Sequence, residues 1–483
     1  MRLLIATDAF PPVCGGSGWS TYELARGMRA RGHEVLIVRP VPAAPERETA
    51  SSYDNFRIVE FGSAAPGVPY VRNYFKNERL YSRLENFLET LIRAEKIDVI
   101  HAQHVLTSVP SVAAAARASI PSVCTVRDYW PVCYWADLIH TADEARLCPG
   151  CSAAMMTQCV RPRAGALWPL ALPMIPYMLA NLARKRTGLA AAGAIVAVSS
   201  TIAADLKARA PELASTRMVV IPNPVNIADL RERAAAAPAP LDSPYALYLG
   251  KLAPNKGTSH LVEFAERAEL DWPLIVAGDG PERATIAAAA AQSRRDVRLV
   301  GWVDQDAAAA WLAHASILVF TSRGPESLSR VLIEASALGV PIAAMNTGGT
   351  PDIISDETTG LLSDSPEEIL ARVKTAYTDP KKIRATDPGN PDGCVVFAYH
   401  RAFNATQAPR IGDLCRAGHL GCVANKKDLS QVLADQLAPF RERRRELEAH
   451  PKRVTDALKH GEEKARAIAQ RTMAEVREAM KLP

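Results

Sequence analysis

What this sequence lacks excludes several kinds of protein. Across 483 residues with a net charge of +5, no block of like charge is long enough to read as a disordered tail. Nor is there a basic stripe interleaved with aromatics, so no nucleic-acid partner is expected. An anionic small ligand or an anionic membrane surface suits the mild positive charge better. The N-terminus, MRLLIATDAFPP, has one basic residue and an apolar run before Asp8 that is too short for a signal-peptide core. It reads as a first strand of a cytoplasmic protein, whose nine cysteines would be mostly reduced. After that strand the dinucleotide fingerprint GxGxxG is missing. The next strand, HEVLIVRP, ends on Arg39 instead of an acidic ribose ligand, which disfavours a nicotinamide enzyme.

What is present is a regular alternation. The chain is 48% hydrophobic and 23% charged, enough for a sizeable core, and its length suits two or three domains. Short β-branched runs (RLLIATD, EVLIVRP, DVIHAQ, PSVCTVRD, AIVAVSS) are each followed by a helical pattern. The series restarts after VIPNPVN with YALYLGKL, PLIVAGDG, VRLVGWV, ILVFTSR and PIAAMNTGG. Apolar strands alternating with helices indicate parallel sheets covered on both faces. The expected fold is α/β with two doubly wound, Rossmann-like domains facing a central cleft, and ligands beyond the carboxyl ends of the strands. The expected domains are 1–222, then 223–464 with an insertion at about 380–425, then a C-terminal helix at 465–483 packing back on the first domain.

Two motifs carry chemistry. PESLSRVLIEA sets Glu326 and Glu334 eight positions apart around an apolar run. Its helical periodicity starts near Leu328 and ends at Gly339, so a helix N-terminus opens beyond a strand, where free N–H groups favour an anion such as a diphosphate. The two carboxylates would then be roughly 12 Å apart along the axis, a span that matches a sugar at one end and a ribose at the other. The alternative is an acid complementing the helix dipole at Glu326 and a buried ion pair at Glu334. The second motif, YLGKLAPNKG, places Lys251 and Lys256 beside Gly250 and Gly257 in one loop. Lysine is a point charge suited to phosphate, and solvated surface lysines are the alternative.

With these pieces in order the chain resembles the retaining glycosyltransferases of family 4, which have the GT-B architecture and an E-x7-E motif. The matching segments are ATDAFPPVCGGSGWSTYELARGMRARGHEVLIV, DVIHAQH, TVRDYW, IVAVSS and VIPNPVN in the first half. In the second half they are YLGKLAPNKG, IVAGDGPE, VRLVGWV, PESLSRVLIEASALGVPI and TGGTPDIISDETTGLL, so the resemblance covers about residues 1–365. It implies that Glu326 binds donor-sugar hydroxyls and Glu334 the nucleotide ribose. Lys256 holds the diphosphate beside Lys251, where the family more often has arginine. Ser327, Leu328 and Ser329 present backbone N–H groups to the phosphate. Gly15 and Gly16 let donor and acceptor approach, Gly250 belongs to the donor loop, and Gly278 and Gly280 line the nucleotide pocket. The family usually has histidine at Gln103 and at Arg127. His101 or His104 compensates for the first, His104 being counted with Glu326, Lys256 and Lys251 as catalytic, while Arg127 and Asp128 face the acceptor side of the cleft. No metal and no further cofactor are implied beyond a UDP-, GDP- or ADP-sugar as substrate.

The apolar segment 161–186 approaches membrane-spanning length, but Pro169, Pro173 and Pro176 would break a simple spanning helix. With Arg161, Arg163, Arg184, Lys185 and Arg186 at its ends it reads as an interfacial element, or alternatively as a helical pair buried on the first domain. Cys133, Cys148, Cys151 and Cys159 are either free thiols or ligands of a structural zinc, although a second CxxC is missing. The expectation is a membrane-associated cytoplasmic glycosyltransferase acting on a glycan or polyprenyl- or other lipid-linked acceptor. The alternatives are a nucleotide-sugar epimerase on the same fold and a non-catalytic partner protein.

Overall fold

The computed structural model describes residues 1–365 apart from 13, 43–46, 68–70, 140–147, 268–271 and 357–358, together with short stretches between 388 and 456. It divides into two compact units, Met1–Val373 and Lys374–Pro483.

The first unit holds both expected sheets. One is eight-stranded, formed by β1 (Arg2–Ala6), β2 (Glu34–Pro42), β3 (Glu48–Tyr53), β4 (Phe56–Ser63), β5 (Val99–Ala102), β6 (Ser122–Val126), β7 (Ala194–Ala197) and β8 (Met218–Val220) in the order β3-β4-β2-β1-β5-β6-β7-β8. Every neighbouring pair is parallel except β3 with β4. The β3–β4 hairpin was not anticipated. ETASSY lacks an apolar face and lies largely exposed at the sheet edge, while Asp54 and Asn55 turn the chain with both residues left-handed, the geometry of a tight hairpin loop.

The other sheet is six-stranded: β9 (Ala246–Leu249), β10 (Leu274–Ala277), β11 (Val297–Gly301), β12 (Ile317–Phe320), β13 (Ile342–Met345) and β14 (Leu361–Ser363), all parallel in the order β11-β10-β9-β12-β13-β14. The strand order reverses between β1 and β5 in the first sheet and between β9 and β12 in the second. Those switch points open crevices at the carboxyl ends of the strands. Direct bonds join the halves: the Asn223 side-chain amide donates to Leu328 O at 3.0 Å, Thr201 Oγ1 donates to Gly348 O at 2.8 Å, and Ser200 binds Asp352 through both its N–H and its hydroxyl.

Residues 161–186 fold as parts of two helices, Ala153–Ala164 and Ile175–Ala190, linked by short turns. Met156, Val160, Ala171, Ile175 and Met178 form a small core of their own, and Leu170 at the linking turn is 75% exposed. Three of the flanking cations are held by carboxylates: Arg163 by Asp137, Arg184 by Glu78 and Arg186 by Glu212. Among the described residues no helix is long and apolar enough to cross a membrane.

The division at Val373/Lys374 differs from the boundary expected at 464. The strand series ends with β14 at Ser363, so the loop-rich stretch read as an insertion belongs to a separate unit. Within that unit the helix Ala408–Arg416 packs Ala408 and Ile411 on Phe397. His400 is fully buried and accepts from the Asn404 amide through Nδ1 at 3.3 Å. The expected helix at 465–483 lies outside the described residues.

Candidate functional site

A cavity of about 310 Å³ lies where the loops after β1, β6, β9 and β12 converge. Gly16, Ser17, Arg127 and Asn223 form one wall. Tyr248 to Lys251, Lys256, Phe320 and the run Glu326 to Val331 form the other.

The second wall is built by two elements. β12 runs into the loop from Thr321, and the helix Arg330–Leu338 follows with Ser329 as N-cap and Gly339 as a left-handed C-cap (φ 74°). The helix thus starts two residues later than the periodicity implied, and Glu326 to Ser329 form the loop that leads into its N-terminus. Glu326 takes the Lys256 ammonium at 2.5 Å and the Ser322 hydroxyl at 3.1 Å on the same oxygen. Lys256 is therefore fixed in the cavity, while Lys251 has no ion pair among the described residues. Glu334 pairs with Arg330, Nε to Oε1 at 2.7 Å. Burial raises the Glu334 carboxyl above its ordinary range, with the Arg330 charge opposing. The lysine loop is supported from below by two glycines. A Cβ on Gly278 (φ 147°) would sit 1.8 Å from the Gly250 carbonyl, and one on Gly280 (φ 159°) 2.2 Å from that of Leu252. Only glycine allows that approach.

The first wall is polar, and Arg127 is its buried member. Gly16 opens the helix Gly16–Ala30 and faces the other half, an added Cβ lying 3.6 Å from Arg330 Cβ. Arg127, 8% exposed, donates to Gln103 Oε1 at 2.5 Å and to the Asn223 side-chain oxygen, and its Nε has no partner. Burial, then the Arg330 charge, lowers it to about 10. Behind it, His101 bonds Thr125 through Nε2 at 2.8 Å. His104 receives the Asp8 backbone N–H on Nδ1 at 3.3 Å, which leaves Nε2 buried and without a partner. Burial and the Arg127 charge hold both imidazoles near 3, so they are neutral. Burial raises Asp8 to about 7 and Asp128 to about 6.

The structure brings Glu326, Lys251, Lys256, Gly16, Gly250, Ser327, Leu328, Ser329 and Arg127 together around one cavity. Gly15, His101, Gln103, His104, Asp128, Gly278, Gly280 and Glu334 are not in its lining. Sequence reasoning missed Asn223, Arg330, Tyr248 and Ser17. Asn223 was visible only as a polar residue in VIPNPVN. Among the described residues no group of three or more His, Cys, Asp or Glu is arranged to hold a metal. Cys133, Cys148, Cys151 and Cys159 are free thiols, and the hydrogen bond from Cys151 lowers Cys133 to about 6.

Two family models match this architecture, Glycosyltransferase Family 4 over residues 14–229 and Glycosyl transferases group 1 over residues 231–388. The chain belongs to these glycosyltransferases. Solved structures agree on the GT-B fold: Anabaena HepE in complex with UDP (16% identity, TM-score 0.51, 90% of this chain and 100% of that one) and sucrose-phosphate synthase from Thermosynechococcus elongatus (19%, 0.52, 93% and 100%). A different likeness runs through about a quarter of this glycosyltransferase chain. It is 46% identical over 123 residues to tryptophan–tRNA ligase of Aquifex aeolicus and 39% over 112 residues to that of Deinococcus radiodurans. The chain spans about a third of the length of these curated relatives, 31% and 34%.

Proposed function

We propose that the chain transfers a sugar from a nucleotide-sugar to a glycan or lipid-linked acceptor, with retention at the anomeric carbon. The observation that carries this reading is the convergence of Lys251, Lys256 and the N-terminus of the helix Arg330–Leu338 on one cavity, with Glu326 beside them. As the bond from the sugar C1 to the phosphate oxygen breaks, negative charge grows on the leaving diphosphate. Two ammonium groups and the free N–H groups of the helix start stabilise it there, the kind of preorganised electrostatics that contributes most to catalysis. The acceptor hydroxyl bonds to C1 on the face the diphosphate leaves, and its proton passes to the departing phosphate oxygen. Glu326 holds Lys256 in place and offers its other oxygen to sugar hydroxyls, while Glu334 reaches the ribose once Arg330 is drawn to phosphate. The neighbouring fold with UDP and UDP-glucose bound supports testing uridine donors first.

The proposed setting is the cytoplasmic membrane face, reached peripherally. Its support is the exposed turn around Leu170 between two helices; the carboxylates that hold Arg163, Arg184 and Arg186 leave fewer charges for lipid phosphates. Co-sedimentation with anionic vesicles, lost on Leu170→Glu, tests it, and equal sedimentation of both proteins contradicts it. A panel of nucleotide-sugars tests the chemistry. Nucleotide release that requires an acceptor supports transfer, an altered sugar without acceptor supports the epimerase, and no turnover supports a non-catalytic partner.

The tryptophan–tRNA ligase likeness, over about a quarter of the chain, favours a tRNA partner as a second reading. Residues 374–483 carry a net charge of +7 against −2 for residues 1–373, so the basic excess of the chain is concentrated there. The unit Lys374–Pro483 binds tRNA in our reading, which departs from the expectation of no nucleic-acid partner, drawn from the mild net charge and the lack of a basic stripe interleaved with aromatics. Fluorescence anisotropy with the full chain and tryptophan tRNA tests it. Binding that weakens with salt and falls at least tenfold when Arg443, Arg444 and Arg445 become Glu supports it; no binding at low salt, or indifference to those changes, rejects it.

A further inference from the structure

The cations of the cavity differ in what neutralises them. Lys256 has Glu326, Arg330 has Glu334, and Lys251 has no ion pair among the described residues but is exposed to solvent. Arg127 has only two neutral amides, Gln103 and Asn223, and a buried Nε with no partner. It is among the most buried charged residues described, no carboxylate pairs with it among the described residues, and the charge of another cation, Arg330, acts on it. Burying a guanidinium without a counter-ion is costly unless something supplies the missing charge. The group lines the cavity, so a ligand can supply it. The nucleotide's diphosphate is already matched by Lys251 and Lys256 on the opposite wall. Asn223, which holds Arg127, also donates to Leu328 O in the loop that carries Glu326, so Arg127 is tied to that loop.

We propose that Arg127 selects an anionic sugar, and that the donor is a nucleoside diphosphate uronic acid. The sugar carboxylate takes Nε–H and the remaining Nη–H of Arg127 as a bidentate pair, the geometry a guanidinium offers and a histidine does not. Gln103 and Asn223 hold the fork side-on, so they are positioning residues. This inference rests on the glycosyltransferase reading of the same cavity.

Calorimetric titration of the full chain with UDP, UDP-glucose and UDP-glucuronate, and with GDP, GDP-mannose and GDP-mannuronate, tests it. The expected result is at least tenfold tighter binding of the uronate than of its neutral partner on the same base. Arg127→Gln should abolish that preference, and nucleoside diphosphate binding that remains measurable shows that the variant is folded. Arg127→Lys should keep part of the preference, since charge remains and the fork is lost. Neutral and uronate sugars bound equally by the wild type overturn the proposal and leave the glycosyltransferase reading standing. A preference for the uronate that survives Arg127→Gln also overturns it. Failure of every nucleoside diphosphate and sugar to bind removes the reading itself and the inference with it. If a phosphorylated acceptor, added alone, binds in an Arg127-dependent way while uronates do not, the anion belongs to the acceptor and the donor assignment is wrong.

Discussion

The two walls of the cavity solve the problem of buried charge in opposite ways. On the C-terminal wall each buried carboxylate has a cation within 2.7 Å, Glu326 with Lys256 and Glu334 with Arg330. On the N-terminal wall Arg127 has no acid among the described residues, Asp8 and His104 each keep a buried polar atom without a partner, and burial pushes Asp8 up and both histidines down. The C-terminal wall pairs its carboxylates with cations and keeps Lys251 over, so ligand binding there draws on cations already in place. The N-terminal wall holds a buried cation without an acid, so binding there adds the partner that is missing. Electrostatic work on a leaving group belongs to the first arrangement, and selection between ligands to the second.

The sharpest way to break this contrast is to remove a cation from the C-terminal wall. Lys256→Ala should lower kcat by roughly 10²–10³-fold, measured as nucleotide release; a loss under threefold would mean that Lys256 neutralises Glu326 and does little else. Next is the support beneath that wall. Gly278→Ala should abolish donor binding in calorimetry, because its Cβ meets the Gly250 carbonyl at 1.8 Å and the lysine loop must move. Gly16→Ala, at an ordinary 3.6 Å contact with Arg330, should cost under about 1 kcal/mol of stability in denaturant titration. If the two glycine variants behave alike, the loop is not held by that close approach.

A smaller effect sharpens the N-terminal side. Asp8 is protonated more readily in the folded chain, near pH 7, than in the unfolded one, where its ordinary value is 3.8. The folded state therefore binds more protons between those values, and stability from this group is full below about pH 4 and lost as the pH rises through 7. Asp8→Asn should flatten the fall of Tm between pH 5 and 8 by about 3 °C. An unchanged slope in scanning calorimetry would show that Asp8 is not the buried acid responsible.

Much of this was legible in the chain because it is local. Glu326 and Lys256 lie on loops that follow strands with continuous apolar runs, and two glycine-punctuated series of such strands are enough to imply the two sheets. The rest depends on distant partners. Asn223 reaches Arg127 across 96 positions and Leu328 across 105, and no periodicity encodes those bonds. Arg127 was legible as an oddity, but its lack of a counter-ion appears only when the neighbours are assembled. The edge hairpin β3–β4 escaped because ETASSY has no buried face to give it a pattern. The stretch at about 380–425 reads as an insertion because it is loop-rich and follows the last strand, and nothing local in it marks the unit Lys374–Pro483 to which it belongs.

The central claim is acceptor-dependent transfer at the C-terminal wall. Proton NMR of a nucleotide-sugar, followed with and without a lipid-linked glycan acceptor, tests it directly. The account predicts free nucleoside diphosphate only when the acceptor is present, a product with the donor's anomeric configuration, and neither with Lys256→Ala. An epimerised sugar without acceptor, an inverted product, or equal turnover by Lys256→Ala would contradict it.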